Sequence, residues 1–161
     1  MKSIHFAATL AIAASVFAAQ DASAQTATQS VSYEVAAVDQ ISVAGSPSLV
    51  VNSATAGSAL NSATASGTYA VTTNGTNRKI TASIDTNMPT GVTLTVSLGA
   101  PTGATSAGTV TLSTTAQDVV TGITTVTQSG LSIGYGLAAD ITAGVVPAGN
   151  KTVTYTITAG A

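Results

Sequence analysis

Regular alternation of apolar and polar residues is the feature of this sequence that most restricts how the chain can fold. Residues 91–98 and 151–158 carry Val, Leu, Tyr or Ile at every second position, with mostly Thr or Ser between them. Shorter runs of the same pattern occur in residues 68–73, 79–84, 109–114 and 131–137. Successive side chains of a β-strand point to opposite faces, so the pattern predicts strands with one buried and one solvated face.

Turn-forming sequences separate these runs at short intervals. Asn74-Gly75, between residues 68–73 and 79–84, predicts a tight β-hairpin. Short strands with frequent turns, and no amphipathic helix after residue 25, predict an all-β fold: one antiparallel β-sandwich of about 7–9 strands over residues 31–161. Further turns are predicted at Met88–Gly91, Pro101–Gly103, Ser129-Gly130 and Pro147–Asn150.

The first 24 residues have the pattern of a cleavable secretory signal peptide. Lys2 gives a positive start, residues 6–19 form an uncharged apolar run, and Ala22-Ser23-Ala24 supplies small residues before Gln25. The apolar run is shorter than the ~20 residues that a membrane-spanning helix needs. We therefore predict cleavage between Ala24 and Gln25, a flexible leader over residues 25–30, and no membrane span after cleavage. The protein is expected to cross the periplasm and to be secreted to the extracellular space or cell surface.

The chain after residue 24 lacks the side chains on which most catalytic and metal sites depend. The one histidine, His5, lies in the predicted signal peptide, and the sequence has no Cys and no Trp. Nucleophilic catalysis then has no imidazole base, and zinc or copper has no imidazole or thiolate ligand. We predict no catalytic residue, no metal site, no cofactor and no enzymatic activity. The acidic residues are dispersed rather than paired for glycoside hydrolysis: Glu34, Asp39, Asp85, Asp118 and Asp140.

Charge is sparse, and this bears on the partners of the protein. After residue 24 the only basic residues are Arg78, Lys79 and Lys151. Because nucleic acids and anionic membranes are bound through clustered basic side chains, neither is an expected partner.

Two kinds of short motif remain. Asp85-Thr86-Asn87 is predicted to be a polar turn rather than a calcium loop, since the other ligands of such a loop are missing. Asn74-Gly75-Thr76 and Asn150-Lys151-Thr152 match the N-glycosylation pattern within predicted turns. The sequence leaves open whether Asn74 or Asn150 is modified.

Residues 31–43 form the longest alternating run and carry the main functional hypothesis. The run exceeds the usual strand length of about 5–6 residues. One interpretation is a first strand that bends and contributes to both sheets. The other is a donor strand that leaves its own domain and completes the sheet of a neighbouring molecule. Asp39 alone interrupts its apolar face, which consists of Val31, Tyr33, Val35, Ala37, Ile41 and Val43.

These observations favour a secreted structural subunit of a bacterial cell-surface filament, fimbria or extracellular matrix. Such a subunit self-associates through β-strand pairing, so its partner is a second copy, and an assembly chaperone is a further candidate partner. One alternative is a secreted carbohydrate- or cell-wall-binding module, but no Trp is present to stack on a sugar. The aromatic residues after residue 24 are predicted to pack in the core: Tyr33, Tyr69, Tyr135 and Tyr155.

A second alternative is a small outer-membrane β-barrel. Alternating strands after a signal peptide are typical of that class. Two aromatic girdles are expected at its membrane interfaces, and four Tyr with no Phe or Trp after residue 24 are too few to form them.

The general plan resembles bacterial secreted β-sandwich subunits of the pilin and spore-coat kind. It combines a signal peptide, an N-terminal alternating strand and a final strand with a tyrosine, Val153-Thr154-Tyr155-Thr156-Ile157. The resemblance implies an immunoglobulin-like or pilin-like sandwich that serves as a surface or filament subunit. Many chaperone–usher pilins carry a cysteine pair, which this chain lacks, so no functional residue is carried over and the assembly route stays open.

Overall fold

The computed structural model describes residues 24–161. Residues 1–23, which include Ala22 and almost all of the predicted signal peptide, lie outside the described residues. The chain divides into two units, Met1–Glu34 and Val35–Ala161. Residues 24–34 of the first unit, including Ala24 and Gln25 at the predicted cleavage point, are exposed and belong to no strand. Within residues 24–161, no helix is long and apolar enough to cross a membrane.

The second unit is all-β, with two antiparallel sheets that are consistent with a β-sandwich. The sheet orders are β1-β2-β8-β4-β6 and β5-β7-β3-β9. A single 3₁₀ turn, Ile141–Ala143, precedes β9. The predicted all-β antiparallel architecture is therefore confirmed. In chain order the strands are β1 Asp39–Ala44, β2 Ala63–Thr73, β3 Arg78–Ile84, β4 Val92–Leu98, β5 Thr105–Ser106, β6 Thr109–Thr111, β7 Gln117–Ile123, β8 Val126–Ala139 and β9 Val153–Ala159.

The core consists of the apolar side chains that alternate along the strands. Their Thr and Ser neighbours in sequence point away from the core, which is the arrangement that the alternating pattern predicts. Tyr69 adds a polar link, because its hydroxyl donates to the Gly99 carbonyl at 2.6 Å. The buried apolar residues are Tyr69, Val71, Ile80, Ala82, Ile84, Leu94, Val96, Leu98, Leu112, Val119, Val120, Ile123, Leu131 and Ile133.

Strand β7 was not predicted from the sequence because its side chains do not alternate. Val119 and Val120 are adjacent and both buried. The pairing of β7 with β3 changes register around Ile80, so an irregularity lets two successive residues face the core. A period-two search cannot detect such a strand.

The hairpin predicted at Asn74-Gly75 is wrong. Strand β2 ends at Thr73 in the five-stranded sheet, and β3 begins at Arg78 in the four-stranded sheet. Residues 74–77 therefore connect the two sheets. A two-residue type I′ hairpin needs positive φ at both central positions, whereas positive φ in this connection occurs at Asn77 (48°). The Asn74 side chain is used instead to bind another part of the chain.

Candidate functional site: the N-terminal run and the free sheet edges

The first part of the run 31–43 is exposed rather than paired. Val31, Tyr33 and Val35 are 78%, 94% and 85% exposed. Residues 31–38 belong to no strand, so the prediction of one continuous strand over 31–43 is wrong for this part. A strand needs a hydrogen-bonded neighbour, and β1 pairs with β2 only from Asp39 onwards. The prediction that Tyr33 packs in the core is also wrong.

The second part of the run lies in the body of the fold. Ile41 and Val43 belong to β1, opposite Val71 and Tyr69 of β2. Ile41 is half-buried and packs against the core, whereas Val43 is 54% exposed. Ala37 lies in the exposed irregular stretch before β1. Because β1 belongs to one sheet, the interpretation of a strand that contributes to both sheets is wrong for residues 39–44.

The two parts of the run meet where Asn74 binds the backbone. The Asn74 Nδ2 donates to the Ala36 carbonyl at 2.8 Å, and Asn74 Oδ1 accepts from the Val38 N–H at 2.8 Å. The Asn74 N–H also donates to the Val38 carbonyl at 3.2 Å. One side-chain amide thus satisfies backbone groups that a neighbouring strand would otherwise pair with.

Asp39, which interrupts the apolar face in the sequence, forms an ion pair between the two sheets. Its carboxylate lies 3.1 Å from an Arg78 guanidinium nitrogen. It also accepts a hydrogen bond from the Thr73 hydroxyl at 2.6 Å, and the Gly75 N–H donates to that hydroxyl at 2.9 Å. Asp39 therefore joins β1 and β2 to the first residue of β3. The sequence signal was the single charge on an apolar face, but its partner could not be read from the sequence.

Strand β9 forms one edge of the four-stranded sheet. It pairs with β3 on one side, from Arg78–Ala159 to Ile84–Val153, and with no strand of the described chain on the other. Its inward residues Val153, Tyr155 and Ile157 are only half-buried, whereas the inward residues of β3 are fully buried. The core is therefore less completely covered along β9.

The edge strand of the other sheet lies nearby. Strand β1 pairs only with β2, and it lies close to β9. We call the free edges of β1 and β9 together the β1/β9 edge. Free strand edges present unpaired N–H and C=O groups, which can pair with another chain.

Two tyrosines connect the sheets beside this edge. The hydroxyl groups of Tyr155 on β9 and Tyr135 on β8 are 2.9 Å apart. Burial, followed by the hydrogen bond to Tyr135, raises the pKa of Tyr155 above its ordinary value. Burial also raises the pKa of Tyr69 to about 12. These phenols remain protonated at neutral pH and act as hydrogen-bonding core residues.

The Asp85-Thr86-Asn87 turn binds an ammonium group of the chain itself. Lys151 Nζ lies 2.6 Å from the Thr86 hydroxyl and 3.0 Å from the Asn87 carbonyl. The Asp85 carboxylate accepts from the Thr86 and Thr152 N–H groups. The Thr86 hydroxyl, the Asn87 carbonyl and one Asp85 carboxylate oxygen are therefore already used by groups of the chain itself. Within residues 24–161, no group of three or more His, Asp or Glu residues is placed to hold a metal ion.

The two glycosylation patterns lie in different environments. The Asn74 amide is occupied by Ala36 and Val38, whereas Asn150 is exposed in the stretch before β9.

Comparison with known proteins finds no family model, no curated protein and no solved structure that matches this chain.

Proposed function

We propose that the protein is a secreted structural subunit of a bacterial cell-surface filament, fimbria or extracellular matrix, and that it self-associates through β-strand pairing. The observation that carries this proposal is the exposure of Val31, Tyr33 and Val35. These residues alternate with polar ones as in a strand, but they pair with no strand of the described chain. We call residues 31–35 the donor segment. In a second copy, the donor segment pairs with the free side of β9 at the β1/β9 edge.

The two surfaces complement each other in length and polarity. The donor segment has three apolar side chains at alternate positions, and β9 has three half-buried inward residues, Val153, Tyr155 and Ile157. A strand paired beside β9 would place its own inward side chains next to these residues. Fully burying a valine contributes about 1.5–3 kcal/mol, so covering Val31 and Val35 favours association.

The order of the strands supports an immunoglobulin-like or pilin-like interpretation. Constant-type immunoglobulin domains have one sheet ordered A-B-E-D and another ordered C-F-G. The order β1-β2-β8-β4 corresponds to A-B-E-D, and the adjacent β3 and β9 correspond to C and F. Strands β5, β6 and β7 are then additions between D and E. In this interpretation no strand of the described residues occupies the position of strand G, which is the free side of β9.

Charge does not oppose such an association. The donor segment carries one charge, on Glu34, and the residues of β9 carry none. The outward side of β9 consists of exposed threonines, which suit the pleated surface of a sheet. An assembly chaperone is proposed as a transient partner, because an uncovered apolar edge is prone to unspecific pairing before assembly.

The experiment compares residues 25–161 with a deletion of residues 25–35, which keeps β1 and its contacts intact. Light scattering over a range of concentrations and negative-stain microscopy report the assembly state. We expect polymers from the longer chain and folded monomers from the deletion. If both proteins are folded monomers at every concentration, the proposed function is wrong.

A comparison of point mutants distinguishes strand exchange from non-specific hydrophobic association. Tyr33→Ser with Val35→Ser removes two apolar side chains of the donor segment, and we expect it to abolish polymers. Val145→Ser is the matched control, because Val145 is 98% exposed and lies outside both the donor segment and β9. Loss of polymers in the Val145 variant as well would contradict pairing through the donor segment.

A further inference from the structure

We propose that Asn74 is a positioning residue that fixes the base of the donor segment, so that exchange stops before Ala36. This inference rests on the proposed function and deepens it. It assigns a role to a residue whose sequence context pointed instead to a hairpin or a glycosylation site. It also divides the run 31–43 into an exchanged part, residues 31–35, and an anchored part, from Ala36 onwards.

The first support is the geometry of the Asn74 amide. Its Nδ2 and Oδ1 bind Ala36 and Val38, two positions on the same side of an extended chain, each at 2.8 Å. Only a side-chain amide offers a donor and an acceptor side by side, as a neighbouring strand does. Asn74 therefore acts as a one-residue strand partner, and it holds the chain just before β1 begins.

The second support is the anchoring of the next residues. Asp39 is bound by Arg78 and Thr73, and the Thr73 hydroxyl is bound by the Gly75 N–H. A Cβ on Gly75 would lie 2.5 Å from Arg78 Nε, so the backbone of this connection packs directly against the guanidinium. Residues 73–78 thus bind positions 36, 38 and 39 together. Releasing β1 would require all of these contacts to break.

The consequence is a fixed length for the connection between subunits. With exchange stopping before Ala36, the part that leaves the domain and pairs with a neighbour is residues 31–35, which reach roughly 17–18 Å when fully extended. A short connection with a fixed base limits the relative movement of neighbouring subunits. If the amide contacts are lost, residues 36–38 are added to the connection between subunits and the filament becomes more flexible.

The test begins with amide hydrogen exchange on residues 25–161. We expect the Val38 amide to be protected in the natural protein and to exchange at least tenfold faster in Asn74→Ala. Asn74→Asp keeps the acceptor but places a carboxylate against the Ala36 carbonyl. We therefore expect it, too, to release residues 36–38 and to speed exchange of the Val38 amide. Asn61→Ala is the matched control, since it removes another exposed asparagine, which binds Ser53. Protection of Leu131 and Ile133 in every variant shows that the fold is intact.

Filament stiffness is the second readout. We expect Asn74→Ala to form filaments that have a shorter persistence length in negative stain than those of the natural protein or of Asn61→Ala. Unchanged Val38 exchange, or unchanged stiffness, would overturn the positioning role of Asn74. If the natural protein forms no filaments, the proposed function fails, and the role of Asn74 in assembly fails with it. Val38 exchange still shows in that case whether the amide contacts exist.

Discussion

The Tyr155 hydroxyl lies 2.9 Å from the Tyr135 hydroxyl, and this hydrogen bond links β9 to the five-stranded sheet. It is one of the few polar contacts that hold the edge strand β9 to the opposite sheet in the described part of the chain. Tyr155→Phe removes the bond and leaves Tyr135 without its partner. We expect a loss of about 0.5–1.5 kcal/mol in the free energy of unfolding, measured by urea denaturation at pH 7. No change in the urea midpoint would show that the bond contributes nothing.

The same tyrosines predict a loss of stability in alkaline solution. An unfolded tyrosine loses its proton near pH 10, whereas burial raises the pKa of Tyr69 to about 12 and raises that of Tyr155 as well. Above pH 10 the unfolded state therefore releases protons that the folded state retains, which favours unfolding. The contribution of these tyrosines to stability should be constant between neutral pH and about pH 9 and should fall from pH 10 through pH 12. Urea titrations across this range should show a shallower fall for Tyr155→Phe than for the natural protein.

The two ion pairs of the domain should differ in their contribution to stability. The Asp39 and Arg78 side chains are 24% and 22% exposed, and Arg78 Nε is buried without a hydrogen-bond partner. Asp39→Ala leaves this cation without its main contact, so we expect a loss of about 1–3 kcal/mol. In the more exposed Lys79–Asp118 pair, Asp118→Ala should cost less than about 1 kcal/mol. Equal losses in thermal or urea unfolding would contradict a special role for Asp39.

The contact between β1 and β2 predicts the effect of a glycine substitution. A Cβ on Gly67 would lie 2.9 Å from the Ala44 carbonyl oxygen, which is a backbone atom and cannot rotate away. Gly67→Ala should therefore push the end of β1 from β2 and cost about 1–3 kcal/mol. Gly149→Ala, with nothing within 4 Å of its Cβ, should stay within about 0.5 kcal/mol. If Gly67→Ala leaves the free energy of unfolding in urea unchanged, β1 moves to accommodate the added methyl group at no cost.

The alternation of apolar and polar residues was enough to predict β3, β4 and β9 closely, because each keeps one face in the core. It gave only residues 131–137 of β8, and the turn predicted at Ser129-Gly130 is wrong, because both residues lie within that strand. The alternation could not predict β7, where Val119 and Val120 both face inward. The alternating pattern also could not predict the order of strands in each sheet, since the partners of β8 are β2 and β4, both distant in sequence. Local patterns determine which face is buried, but they contain no information about which strands meet.

The candidate site was predictable only in part, for the same reason. The exposed apolar residues of the donor segment were visible in the sequence as half of a long alternating run. The division of that run at Ala36 was not, because it depends on Asn74, which is distant along the chain. Asn74-Gly75 is a strong local hairpin signal, and a long-range contact overrode it.

The central place of β3 has a consequence for resistance to proteolysis. Proteases of the trypsin type cut after Arg or Lys, and beyond residue 24 the chain offers them three positions: Arg78, Lys79 and Lys151. Arg78 and Lys79 lie in β3, which is paired on both sides by β7 and β9, and Lys151 is tied to the Thr86 and Asn87 oxygens. A protease needs a locally unfolded substrate, so cutting at β3 requires the sheet to open. The folded domain thus keeps the two sites in β3 inaccessible to such proteases until the sheet opens.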